Sequence, residues 1–174
     1  MDITAKQLVN AVVYVENLYE GSLIDCSLSS VKSIPWSSWF QMWIQFLDSQ
    51  TVMTKECEVG LRLTDDRQIQ ILNHQYRSLD QPTDVLAFAA TEVDITIPQD
   101  FEEPLYLGDI VISLDTAARQ AQAQNHSLVM ELAWLASHGL LHLLGWDHPD
   151  AHSLKQMLNR QSDLIQLVEI QPSY

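Results

Sequence analysis

Several features are missing from this sequence, and each absence removes a class of function. The opening stretch MDITAKQLVNAVVYVENLYE has neither a basic leading segment nor an uninterrupted apolar run, so no secretory signal is read in it. Ser, Gln and Asp interrupt the longest helical candidates well short of the ~20 apolar residues that a membrane span needs. A soluble, cytoplasmic protein with no membrane partner is expected. Cysteine is scarce: Cys26 and Cys57 lie in separate segments without C-x-x-C spacing, which excludes a disulfide framework and a cysteine-based zinc knuckle. Positive charge is scarce too. Nine Lys and Arg against 23 Asp and Glu leave a formal net charge of -14, which opposes nonspecific binding to nucleic acid or anionic membranes. A polyanionic substrate must therefore be recognised at a local site. Repeats, low-complexity tracts and linkers are absent as well, so 174 residues, 47% of them hydrophobic, are read as one domain spanning 1–174.

What is present is a mixture of strand and helix patterns. Ser33 and Pro35 precede Trp36, Trp39, Phe40, Trp43, Ile44 and Leu47, an apolar stripe at helical spacing with Ser33 as its cap. Aromatics so spaced are core residues before they are a base-stacking platform. CEVGLRLTD (57–65) alternates as a half-buried strand does, and DDRQIQILNHQYRS reads as a helix started by Asp65 or Asp66. DVLAFAA and YLGDIVIS read as a hairpin-like pair of strands, separated by an acidic loop from Glu92 to Glu103 that lacks the alternation of a calcium site. Helices are expected from Asp115 to Gln124, from a Ser127 cap through Leu144, and from Pro149 onward. The fold class is α+β: a small mixed four-stranded sheet with helices packed mainly on one face and a metal site on a helix and the turn after it.

That metal site is read from HGLLHLLGWDH (138–148). His138 and His142 stand at i and i+4, on one helix face a turn apart, where two imidazoles can reach one ion. Gly145 can take a left-handed conformation, end the helix and return the chain, so that His148 approaches the same ion. Three neutral imidazoles with a fourth position left to water make an open, catalytic type of zinc site. The bland alternative, histidines favoured at a helix C-terminus, suits one histidine better than three. The spacing H-x3-H-x2-G-x2-H is shared with the metzincin proteases, but those carry a glutamate after the first histidine and Gly139 stands there. Asp147 and Glu131 are read as hydrogen-bonding partners of a ligating histidine rather than as a base. His152 is a reserve ligand; His74 and His126 are taken as ordinary surface histidines.

LNHQYRSLDQPTDVLAF (72–88) places Arg77 at a helix end before a turn. There it is either a guanidinium at a cleft rim, able to grip a phosphate with two N–H groups, or a helix-terminal charge. Taken in order, LNHQYRSLDQPTDVLAF, YLGDIVIS and ELAWLASHGLLHLLGWDH resemble the YbeY family of bacterial endoribonucleases, over roughly residues 57–148. The resemblance implies a single α+β domain, one Zn²⁺ held by His138, His142 and His148, and Arg77 as a functional arginine. It also implies RNA cleavage in the maturation of ribosomal RNA, at the end of the small-subunit RNA, and in ribosome quality control. Arg77 and His138 are assigned to catalysis, and the partners expected are ribosomal RNA presented on small-subunit particles and ribosome-associated proteins. Trp146 stands where tyrosine is usual, and Ala87 and Ala89 where serine and proline are. Two further readings are carried forward: a metallohydrolase acting on a peptide or small substrate, and a zinc-stabilised ribosome assembly module that cuts nothing.

Overall fold

Alternation along CEVGLRLT requires a strand with one buried face, and Cys57–Thr64 is the second strand, β2, with Cys57, Val59, Leu61 and Leu63 buried. The computed structural model describes residues 9–23, 25–48, 56–92 and 103–168. β2 runs parallel to β1 (Ala11–Asn17) on one side and to β4 (Leu105–Ser113) on the other. β3 (Val85–Ala89) pairs antiparallel with β4, Ala87 opposite Ile110, as expected of a hairpin-like pair, and the order is β1-β2-β4-β3. The fourth strand, β1, was not located in the sequence. It is an edge strand, and its residues from Tyr14 to Asn17 are exposed whichever way they point, which erases the alternation that marks β2.

The helices α1 (Asp25–Lys32), α2 (Trp36–Asp48), α4 (Leu114–Gln124), α5 (Leu128–Leu143) and α6 (Ala151–Leu167) contribute to one large core built on one face of the sheet. α3 (Asp66–Arg77) alone packs Ile69 against Leu86 and Val111 on the other. The aromatic stripe of α2 is core: Trp36, Trp39, Phe40, Trp43, Ile44 and Leu47 are all buried, and the Trp43 indole N–H donates to the Leu164 carbonyl of α6 at 2.8 Å. Two helix starts differ from expectation. Ser33 closes α1, its N–H reaching the Ser29 and Ser30 carbonyls at 3.2 Å, rather than capping α2. Asp150 caps α6 through a capping box with Ser153, so Pro149 lies outside that helix. Residues 93–102 of the acidic segment lie outside the described residues. No described helix is long and apolar enough to cross a membrane.

α5 is apolar on nearly every side, the composition of a helix buried all round, and it buries Leu132, Ala133, Leu135, Ala136, Leu140, Leu141 and Leu143. It meets β4 through Gly139. A Cβ at that position would lie 2.7 Å from Cγ2 of the fully buried Ile110, so any side chain there must displace its neighbour, the glutamate of a metzincin most of all. Gly139→Ala should destabilise the protein despite the better helix propensity of alanine, worth ~1 kcal/mol, because overpacking against a branched core residue costs ~1–3 kcal/mol. Thermal denaturation checks this: a lowered midpoint is expected, and a raised one contradicts the contact.

Candidate metal centre

Ser127 starts α5 by accepting the Met130 N–H at 3.1 Å, as expected. Eleven and fifteen residues on, His138 and His142 rise from adjacent turns, with their Nε2 atoms 3.1 Å apart. The helix ends in a left-handed glycine: Gly145 has φ +87°, its N–H donates to the His142 carbonyl at 3.0 Å, and the Trp146 N–H to the Leu141 carbonyl at 3.0 Å. These are the paired bonds of a Schellman termination. The chain then turns back, and the His148 ring comes to 5.5 Å from that of His138 and 5.3 Å from that of His142. One nitrogen from each of the three rings lies within 4.8 Å of the other two.

The donor set fits a zinc-type ion. Two nitrogens each ~2.1 Å from one tetrahedral ion stand ~3.4 Å apart, close to the separation of the two Nε2 atoms. Burial, followed by the neighbouring His142, pushes the pKa of His138 below its usual 6.5. Burial and then His148 do the same for His142. Both rings are thus held in the neutral form that binds a metal.

The hydrogen bond expected of Glu131 or Asp147 is made by neither. Glu131 is buried against the His126 ring, and Asp147 accepts the backbone N–H of His148 at 2.8 Å, bracing the turn. Gln161 of α6 takes that place, with Oε1 3.3 Å from His138 Nδ1. Its signal in the sequence is a polar residue in an otherwise apolar line, Met157, Gln161, Leu164, all three fully buried. His74 and His152 are exposed and outside the cluster, as is His126.

Arg77 ends α3, and Ser78, at φ +59°, reverses the chain directly after it. The buried Asn73 steadies the following turn by donating to the Gln81 carbonyl at 2.8 Å. The Arg77 guanidinium donates to the Ala87 carbonyl at 3.2 Å and lies 5.9 Å from the centre of the Phe88 ring. It lines a cleft of about 540 Å³ together with His138, His142, Trp146 and Asp147. Ala87 and Ala89 line the same cleft, and the anchor for Arg77 is a backbone carbonyl that alanine supplies as well as serine.

The family model described as Endoribonuclease YbeY matches residues 24–169. The chain belongs to the YbeY family. It is 57% identical over 143 residues to Endoribonuclease YbeY of Trichormus variabilis, covering 82% of this chain and 81% of that one. It is 48% identical over 160 residues to Endoribonuclease YbeY of a Picosynechococcus species, covering 92% and 95%. A solution structure from Thermotoga maritima, 22% identical, covers 88% of this chain and 87% of that one with a TM-score of 0.49, too loose a likeness to carry an argument. The YbeY match reaches beyond the 57–148 blocks and takes in α1, α2 and α6.

The depressed histidines make stability depend on pH. Between their folded pKa values and 6.5, the unfolded chain binds protons that the folded chain refuses, so stability rises with pH. For metal-free protein, the contribution is complete above pH 6.5 and is lost as pH falls through the depressed values. Urea unfolding between pH 8 and 5 should show this fall, and a His138→Gln/His142→Gln variant should show a shallower one. An equal slope in both proteins contradicts the burial effect.

Proposed function

We propose that this protein is a zinc-dependent endoribonuclease. Its task is the maturation of ribosomal RNA, at the end of the small-subunit RNA, and ribosome quality control, in the cytoplasm and on RNA presented by small-subunit particles. The observation that carries this reading is that Arg77 lines one cleft with His138 and His142, two members of the histidine cluster. The activity comes from relatives named Endoribonuclease YbeY.

His138, His142 and His148 would hold one Zn²⁺, which when bound supplies Lewis acidity toward a phosphoryl oxygen. Arg77 supplies the complementary half. Its planar guanidinium can give two N–H groups to a phosphate, and charge that grows there in the transition state is met by a cation already in place. The Ala87 carbonyl and the Phe88 ring orient that group before substrate arrives. Trp146 and the β3 residues Val85, Leu86, Ala87 and Ala89 form the walls within which a single strand would lie. Gly139 follows the first histidine where a metzincin carries its glutamate, so the chain offers no general base from that position. That suits a slow enzyme whose selectivity lies in how RNA is presented.

The charge of -14 favours one other reading, a zinc-stabilised assembly module that binds and does not cut, since free RNA is poorly attracted. Cleavage of precursor ribosomal RNA, free and within small-subunit particles, separates the two. Wild-type protein should cut, and His142→Ala should not. Arg77→Glu should lower the rate by ~10²–10³-fold, the usual cost of losing one transition-state donor. Its zinc content should stay unchanged and its stability within ~1 kcal/mol, because the residue is exposed. Arg77→Lys should fall between, keeping charge and losing the fork. Full cleavage by Arg77→Glu contradicts the phosphate role, and equal cleavage by His142→Ala contradicts the enzyme.

A further inference from the structure

Gln161 is a fully buried amide in the apolar line of α6, and a buried amide costs free energy unless both its ends are used. Both are. Its Nε2–H donates to the Trp134 carbonyl of α5 at 2.9 Å, and its Oε1 lies 3.3 Å from His138 Nδ1. The Trp134 carbonyl can only accept, which fixes the amide nitrogen on that side. Reversing the amide would set its oxygen against the Trp134 carbonyl oxygen, which the Ser137 hydroxyl already reaches at 2.9 Å, and would leave the buried amide oxygen without a donor at ~1–3 kcal/mol. Oε1 can likewise only accept, so the ring must donate to it from Nδ1. A neutral imidazole has one N–H. With the proton on Nδ1, the Nε2 of His138 keeps its lone pair, and that atom faces His142 Nε2 inside the cluster.

From this geometry we infer that Gln161 is a positioning residue for the metal centre: it selects the Nδ1–H tautomer of His138 and holds the ring so that Nε2 is presented to the ion. The inference rests on the reading that the histidines hold a metal, and it adds a part of the chain, α6, that the histidine motif does not contain. Trp134 lies one turn before His138 on α5, so a single side chain braces both the helix backbone and the ring it carries. A carboxylate at position 161 would keep the acceptor toward His138 while giving up the N–H donated to the Trp134 carbonyl. Leucine would fill the space and remove the acceptor.

The test begins with metal-stripped wild-type protein, ¹⁵N-labelled in histidine, at pH 8. Long-range ¹H–¹⁵N correlation should show His138 protonated at Nδ1, and protonation at Nε2 overturns the inference without reference to any variant. Zinc affinity is then measured by competition with a chromophoric chelator. Gln161→Leu should bind ~10–100-fold more weakly, the usual cost of losing the partner of a ligating imidazole, while Gln161→Glu stays within several-fold of wild type. Folded Gln161→Leu binding zinc as tightly as wild type overturns the positioning role. Failure of the metal reading looks different: wild type itself, or His142→Ala equally with it, shows no specific zinc binding, and the role of Gln161 toward an ion falls with it.

Discussion

The contents of the cleft depend on where and how α5 stops. A continued helix would carry residue 148 away from the cluster, because a helix advances 1.5 Å per residue and returns to a face only every third or fourth position. The two bonds of the Schellman termination and the positive φ of Gly145 reverse the chain instead. A residue with a Cβ would pay ~1–2 kcal/mol for that conformation. The far end of the turn is fixed as firmly. Asp147 binds the His148 backbone, and Asp150 opens α6 with its capping box. His148 is therefore held on a short segment pinned at both ends, while His138 and His142 ride on a helix packed into the core.

Charge gives this rigidity its chemical sense. A chain of net charge -14 repels a polyanion at long range. Within the cleft, Arg77 is offset by Asp147, and imidazoles kept neutral by burial add no positive field of their own. A divalent ion in the cluster would become the largest local charge and reverse the sign of the potential that a phosphate meets.

The sequence carried much of this, for specific reasons. β2, α2 and α5 were legible because one-sided or complete burial imposes a period or an apolar run on them. The histidines and Gly145 were legible because the turn chemistry is local: i, i+4 and a glycine three residues later determine it. β1 was not, because an exposed edge imposes no alternation. The starts of α2 and α6 differ from expectation, since Ser33 and Pro149 are acceptable helix-start residues whose actual bonds depend on the preceding turn. Gln161 was missed because its partners lie 23 and 27 residues away. Glu131 shares the helix with His138, yet was captured by His126.

The metal centre requires three imidazoles to meet one ion. X-ray absorption at the zinc edge on protein loaded with one equivalent of Zn²⁺ addresses that directly. Three imidazole nitrogens and one oxygen donor at ~2.0–2.1 Å are predicted, with one imidazole lost from the shell in His148→Ala. A shell containing sulfur, or one unchanged in His148→Ala, would contradict it.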